Sequence, residues 1–330
     1  MIRISKDKSL LIKGILIIMM IFLHLFIDNK TERCVNLLYI GDVPLVKWLT
    51  NACNTVGSFV LLSGYGLAYT FEKRGLDFLQ QVKRILKLYM HYWVILITFI
   101  VIGCFLYADI YPGSLDRILL NMTGLKSDYN YEMWFLLPYT LIALTSKYII
   151  KTIEKIGYVR SLLITAVINV GACYVISRHL FDFLADYHLG VIINYLQFLY
   201  QFTVGVTLYR SQFEVKWQLP LWLNLLIMTT AIAFVATINI SITYIVYVPL
   251  MIFLFNQLSY PKWLEKVLIE LGKKSMAMWM IHTWLCTYLF KDEVYSLKYP
   301  MLILITVVLL SYLLAIVFMW ITKKCLWWQK

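Results

Sequence analysis

The chain has 330 residues, of which 61% are hydrophobic, and its mean hydropathy is +0.74. This composition excludes an ordinary soluble globular domain and is typical of a protein with many membrane-spanning segments. The net charge of +12 does not indicate a nucleic-acid partner, because the Lys and Arg residues lie between apolar runs and form no basic domain.

Ten apolar runs follow one another along the chain, each of a length that suits a transmembrane helix. They cover residues 10–27, 50–71, 88–108, 133–150, 160–177, 190–208, 219–238, 241–258, 275–290 and 300–321. No segment of soluble-domain composition is left between them. The sequence therefore predicts an all-α integral membrane protein with about ten transmembrane helices, formed by a single domain over residues 1–330.

The basic residues predict the orientation of these helices. If the N-terminus lies inside, 22 Lys and Arg residues fall on the inner side and 8 on the outer side. Cytoplasmic loops carry an excess of Lys and Arg, so both termini are predicted to be cytoplasmic. The longer outer loops, residues 28–49 and 109–132, are predicted either to hold a polar, sugar-like ligand or to be solvated connectors.

The first run carries two ionisable residues, Lys13 and His24, that are eleven positions apart. On an α-helix this spacing places both on one face, about 16 Å apart, with Lys13 at the inner boundary and His24 deep in the outer half. Ionisable side chains within a membrane are costly and commonly line a polar cavity. We therefore interpret this helix as the wall of a functional site, although His24 could instead form a structural interhelical hydrogen bond.

The other four histidines give weaker indications. His282 lies within the ninth run, where a structural hydrogen bond and a functional role both remain open. His91 begins the third run among aromatic residues, and His179 and His188 fall in an outer loop. No His, Cys, Asp or Glu cluster has the spacing of a metal site, so no metal is predicted.

A basic segment joins the second and third runs on the inner side. It contains Lys83, Arg84 and Lys87, and it follows a helix that is rich in Gly and Ser. Such a group can bind a phosphorylated ligand. Positive-inside charge and contact with lipid headgroups are the alternative explanation.

Six short segments along the chain combine apolar residues with Gly, Ser, Trp, His or basic residues. They are KGILIIMMIFLH (13–24), FVLLSGYGL (59–67), VKRIL (82–86), MWFLLPYTLIAL (133–144), FTVGVTLYR (202–210) and LGKKSMAMWMIHTWL (271–285). Together these segments resemble membrane acyltransferase family 3, the acyltransferases of bacterial surface polysaccharides. Lys13 stands where that family usually has Arg, which keeps the charge but loses the bidentate geometry.

The resemblance implies an O-acetyltransferase of the bacterial cytoplasmic membrane, surrounded by membrane lipid. Acetyl-CoA would be the donor substrate, with no permanently bound cofactor, and a surface polysaccharide or its lipid-linked precursor would be the acceptor. His24 would be catalytic, either as general base or as covalent carrier of the acetyl group. The candidate donor-binding residues are Lys13, Lys83, Arg84 and Lys87. The candidate acceptor or pocket residues are Glu132, Trp134, Ser63, Tyr65 and His282.

Two other classes of protein fit the same hydropathy pattern. A transporter or flippase for lipid-linked sugars would also have about ten spans and a polar cavity, but it would have no specific need for His24. A non-catalytic subunit of a membrane assembly would need neither His24 nor Lys13. Turnover of acetyl-CoA distinguishes the predicted enzyme from both.

Overall fold

The computed structural model describes residues 4–178, 180, 190–211 and 218–326. Helix makes up 82% of the structure. The α-helices of the described residues are α1 (Lys6–Phe26), α2 (Leu45–Thr50), α3 (Val56–Arg74), α4 (Phe78–Leu106), α5 (Leu115–Thr123), α6 (Leu136–Ile156), α7 (Tyr158–Ser177), α8 (Gly190–Arg210), α9 (Leu221–Ile238), α10 (Tyr244–Gln257), α11 (Lys262–Thr283), α12 (Lys291–Tyr295) and α13 (Pro300–Cys325). Short 3₁₀ segments cover Asp28–Arg33, Tyr131–Phe135 and Ser241–Thr243, and a π-helix covers Trp284–Tyr288.

Seven helices of the described residues are long and apolar enough to cross a membrane. They are Lys6–Phe26, Phe78–Leu106, Tyr131–Ile156, Tyr158–Ser177, Gly190–Arg210, Leu221–Ile238 and Pro300–Cys325. A membrane span needs about 20 predominantly apolar residues, and each of these helices approaches or exceeds that length. The prediction of an all-α protein with several membrane-spanning helices is confirmed.

The other three predicted spans coincide with helices that do not meet this criterion, so the count of ten is not confirmed. The helix α3 ends in the charged residues Glu72, Lys73 and Arg74, and α10 has only 14 residues. The helix α11 begins at Lys262, well before the predicted run at 275–290. Hydropathy did not detect its first half, because that half carries several charged residues.

Reciprocal glycine contacts hold two pairs of helices together. A Cβ atom at Gly14 of α1 would overlap the backbone oxygen of Leu268 in α11, and one at Gly272 would overlap that of Leu10. The same relation joins Gly64 of α3 to the backbone of α8. Because small residues let helix backbones approach closely in a membrane, these positions fix how α1 crosses α11 and how α3 crosses α8.

The segment between α4 and α6 folds back along the side of α4. The Tyr92 hydroxyl donates to the Asn121 carbonyl (2.8 Å), and the Trp93 indole donates to the Met122 carbonyl (2.8 Å). The C-terminal end of α5 therefore lies beside the middle of α4. The segment that sequence predicts as an outer loop descends along this helix and brings the residues after Lys126 toward α1 and α11.

Ion pairs and hydrogen bonds group the helix ends into two sets. Arg210 of α8 pairs with Glu72 of α3 (3.0 Å) and with Glu154 of α6. At the other end, Arg33 pairs with Asp292 (2.8 Å). We call the first set, the ends of α3, α6 and α8, the basic end. We call the second set, the segments 28–36 and 284–298, the histidine end, because these segments follow His24 and His282 in the chain. A two-stranded ribbon, Tyr39–Ile40 antiparallel to Val43–Pro44, follows the first of these segments.

Candidate active site

The C-terminal turn of α1 carries His24, and two side chains fix that turn in place. The Lys30 ammonium donates to the backbone carbonyl of His24 (2.7 Å), and the Tyr295 hydroxyl donates to that of Leu25 (2.5 Å). The last carbonyls of a helix have no partner within the helix. These two donors satisfy them and thereby hold the backbone from which the imidazole projects.

The imidazole of His24 contacts a second imidazole and a carboxylate. Its Nδ1 lies 2.8 Å from Nε2 of His282, and its Nε2 lies 3.0 Å from Oε2 of Glu132. The His24 and Glu132 side chains are 15% and 17% exposed, whereas His282 is fully buried. The partial exposure of this network is therefore confined to the His24 and Glu132 side chains.

Glu132 reaches this position because Asn130 ties its segment to α11. The Asn130 side-chain oxygen accepts from the backbone N–H of Glu132 (3.2 Å) and from the Thr283 hydroxyl (2.9 Å). The Asn130 amide also donates to the Met280 carbonyl (3.3 Å). Asn130 and Thr283 are fully buried or nearly so. A satisfied buried network of this kind is rigid, so the carboxylate is held on the same side of the molecule as both histidines.

The helix α11 continues as a π-helix from Trp284, two residues after His282. In this π-helix, the Thr287 hydroxyl accepts from Lys30 (3.0 Å), and the Tyr288 hydroxyl accepts from the backbone N–H of Tyr131 (2.8 Å). One segment therefore contacts both chain segments that flank the imidazole pair. π-Helical turns occur frequently at functional sites, and this one links the end of α1 to the start of the Glu132 segment.

The three titratable groups do not converge on one point. The two ring nitrogens of His24 lie on opposite sides of the imidazole, and each faces a different partner. Metal ligands must direct their lone pairs at one ion. Among the described residues, no group of three or more His, Cys, Asp or Glu side chains is arranged to hold a metal.

Two cysteines outside the membrane-spanning helices are poor alternatives to His24 as the reactive group. Cys34 lies at the histidine end, and burial raises the pKa of its thiol. Cys53, between α2 and α3, has a pKa that burial raises to about 12. Because the thiolate is the nucleophilic form, neither side chain is activated at neutral pH.

The predicted donor-binding residues lie away from the imidazole pair. Lys13 is half-buried on α1, and the charge of Arg84 on α4 acts on it electrostatically. Lys83, Arg84 and Lys87 are exposed. Since α1 is one continuous helix, Lys13 and His24 are about 16 Å apart along it. The structure thus separates Lys13 and Arg84 from the catalytic candidates, and the charge of Arg84 acts on Lys13.

Of the candidate acceptor or pocket residues, Glu132 and His282 contact His24, whereas Ser63, Tyr65 and Trp134 lie elsewhere. The Tyr65 hydroxyl accepts from the backbone N–H of Ile4, at the opposite end of α1 and about 30 Å from His24. Ser63, half-buried two residues earlier on α3, lies toward that same end. Trp134 packs in an aromatic cluster, with its ring 6.0 Å from that of Phe198. The structure therefore places Ser63 and Tyr65 away from His24, because α3 runs toward the basic end.

Sequence reasoning missed Lys30 and Asn130. A cation just past the end of a helix is a common partner of its terminal carbonyls, and this was the available signal for Lys30. An Asn two residues before an acidic residue, at the start of a helix, was the signal for Asn130. The ring of His91 is buried in the middle of α4. His179 and His188 lie outside the described residues.

Comparison with protein families identifies the family of the chain. The family model described as "Acyltransferase domain", which represents membrane acyltransferase family 3, matches residues 10–323. Neither the curated proteins nor the solved structures contain a match. The matched region contains the imidazole pair, Glu132, five of the seven apolar helices and most of the first and the last. The chain is a multi-pass membrane protein and belongs to membrane acyltransferase family 3.

Proposed function

We propose that the protein transfers an acetyl group from cytoplasmic acetyl-CoA to a hydroxyl group of a cell-surface polysaccharide or its lipid-linked precursor. The observation that carries this proposal is the contact between His24 Nε2 and Glu132 Oε2 (3.0 Å), which is partly exposed. Acyl transfer to an alcohol needs a base at the hydroxyl group, and an imidazole beside a carboxylate is suited to that role.

The chemistry follows from the properties of the acceptor. A sugar hydroxyl is a poor nucleophile because its proton is weakly acidic. As its oxygen attacks the thioester carbonyl, His24 Nε2 takes the proton and Glu132 stabilises the imidazolium that forms. The C–S bond then breaks, and the leaving thiolate takes the proton to give CoA and the acetyl ester. Such general base catalysis contributes roughly 10²–10⁴-fold to the rate.

The basic residues support a donor site at the other end of the same helix. Lys13 and Arg84 interact electrostatically, and Lys83 and Lys87 are exposed on the same helix as Arg84. Charged groups of this kind bind phosphates. The CoA phosphates dock there, and the long pantetheine arm carries the thioester toward His24 between the helices that pack around α1.

The distribution of charge supports an orientation with both termini in the cytoplasm, and the family supports a location in the bacterial cytoplasmic membrane. With both termini in the cytoplasm, the donor site faces the cytoplasm, where acetyl-CoA is made. The histidine end then faces outward, where a surface polysaccharide or a lipid-linked glycan is accessible. The reaction carries the acetyl group across the membrane as well as onto the acceptor.

The decisive experiment uses purified protein and radiolabelled acetyl-CoA, with label on polymer and thioester hydrolysis as the two readouts. We expect His24→Ala to abolish both polymer labelling and thioester hydrolysis. The variant should still insert into the membrane and have the unfolding temperature of the wild type. Normal acetylation by this variant would remove His24 from the mechanism. Movement of a lipid-linked sugar without any acetyl-CoA turnover would favour the transporter instead.

A second experiment separates donor binding from chemistry. We expect Arg84→Ala to raise KM for acetyl-CoA with little change in kcat. Arg160→Ala is the matched control, because Arg160 is also exposed and predicted to lie on the inner side, but on α7. If Arg84→Ala leaves the dependence on acetyl-CoA unchanged, CoA does not dock at this residue.

A further inference from the structure

The side chain of His282 is fully buried, and each of its ring nitrogens has a hydrogen-bond partner. Its Nδ1 lies 3.1 Å from the backbone carbonyl oxygen of Met278, one turn earlier on α11. Its Nε2 lies 2.8 Å from Nδ1 of His24. The two contacts together define the positions of the protons in the imidazole pair.

The Met278 carbonyl determines the first proton. A carbonyl oxygen only accepts hydrogen bonds, so Nδ1 of His282 must carry a hydrogen to bond with it. A neutral imidazole has one N–H, and its other nitrogen has a free lone pair. Nε2 of His282 is therefore an acceptor, and the hydrogen between the two rings belongs to Nδ1 of His24.

The second ring follows from the first. Since Nδ1 of His24 donates to His282, Nε2 is the nitrogen whose lone pair is available for chemistry. This is also the nitrogen that faces Glu132. In the substrate-free protein, one further proton between Nε2 and the carboxylate completes all three links and leaves the network of Glu132, His24 and His282 without net charge, which suits a site that is largely shielded from water. This proton leaves before the acceptor hydroxyl binds, so that Nε2 is then free to act as the base and Glu132 is ionised.

We infer that His282 is a positioning residue, which accepts a hydrogen bond from His24 Nδ1 and so holds His24 in the tautomer whose basic nitrogen is Nε2. This inference rests on the proposed function for its catalytic consequence. The acceptor hydroxyl is thereby assigned to the Nε2 side of the ring, beside Glu132. Without His282, a neutral His24 donates from Nε2 to the carboxylate, and the lone pair moves to the buried side of the ring.

Nitrogen NMR of protein labelled in its five histidines tests the tautomers directly. The signals are assigned with the single variants His24→Gln and His282→Gln. In the wild type without substrate, we expect a proton on Nδ1 of both His24 and His282. In His282→Leu, we expect the His24 proton to move to Nε2. A wild-type His24 without a proton on Nδ1 overturns the inference, whether or not the leucine variant folds.

Kinetics test the consequence for catalysis. We expect His282→Leu to lower kcat about 10²-fold or more, with little change in KM for acetyl-CoA. His282→Gln, whose amide oxygen replaces Nε2 as an acceptor, should recover most of that loss. Wild-type turnover by His282→Leu overturns the positioning role, and so does a glutamine variant that is well folded but as slow as the leucine variant.

The spectrum and the transfer assay fail independently of each other. The tautomers are measured without substrate, so they do not depend on the identity of the donor or the acceptor. If the wild type shows the expected tautomers but transfers no acetyl group, the arrangement of protons stands and the proposed function is wrong.

Discussion

Glu132 and His24 face each other at 3.0 Å, and the charge of the carboxylate decides what the imidazole can do. We expect Glu132→Gln to lower kcat by roughly 10²–10³-fold, because the amide keeps the shape but cannot stabilise an imidazolium. Acetyl transfer by purified variants measures this effect. The control is Glu293→Gln, an exposed change at the same end of the molecule. Equal rates for the two variants would mean that the carboxylate has no part in the reaction.

Lys30 acts on the site through the backbone of His24. Its ammonium joins the carbonyl at the end of α1 (2.7 Å) to Thr287 of the π-helix (3.0 Å). We expect Lys30→Met to cost about 1–3 kcal/mol of stability and to lower kcat, because a charged hydrogen bond and a helix-terminal partner are lost together. Thermal unfolding and acetyl transfer measure the two effects. The control Lys291→Met, which removes an equal charge nearby, should change neither; a similar loss there would indicate a general effect of charge.

At the scale of helices, the imidazole pair depends on how closely α1 and α11 pack. These helices carry His24 and His282, and their backbones meet at Gly14 and Gly272. A side chain at either glycine would push the backbones apart. The two rings are hydrogen-bonded at 2.8 Å. Because hydrogen bonds depend strongly on the distance between donor and acceptor, a small shift of α11 would break this one.

We therefore expect Gly272→Ala to lower both the unfolding temperature and kcat. The control is Gly66→Ala on α3, where an added Cβ has open space. Alanine also favours a helix over glycine by about 1 kcal/mol, so this control should be neutral or slightly stabilising. Circular dichroism melts and transfer rates compare the two variants. Equal stability of both would show that the glycine contact does not constrain the helices.

Hydropathy predicts most helices because a lipid-facing helix must be apolar along its length. It fails for the first half of α11, where Lys262, Glu265, Lys266 and Glu270 lie on a helix that continues without a break into the predicted run. Periodicity also places Lys13 and His24 on one helix. It cannot predict that Glu132 contacts His24, because these residues are far apart in the chain and meet only through the folded-back segment beside α4. It also cannot predict that Ser63 and Tyr65 lie away from His24, because the direction of α3 is a tertiary property.

At the scale of the whole molecule, the two ends have different chemistry. Lys13 and Arg84 lie toward the end where α1 begins, and the imidazole pair lies where α1 finishes. A single helix therefore connects a phosphate-binding candidate to a proton-transfer candidate. This separation suits a reaction whose two substrates come from opposite sides of a membrane, provided that the two ends face opposite sides.

The positive-inside rule makes that orientation a prediction that can be measured. Lys155 at the end of α6 and Asp292 on α12 are both exposed, and they lie at the basic end and the histidine end respectively. In a background without the six native cysteines, we expect Lys155→Cys to react with a membrane-impermeant maleimide only in inverted vesicles. Asp292→Cys should react only in vesicles of native orientation. The reason is that 22 of the 30 Lys and Arg residues lie on the side predicted to be cytoplasmic, and Asp292 lies on the other side. Labelling of both from one side would contradict a transmembrane reaction, and the reverse pattern would place the imidazole pair on the side where acetyl-CoA is made.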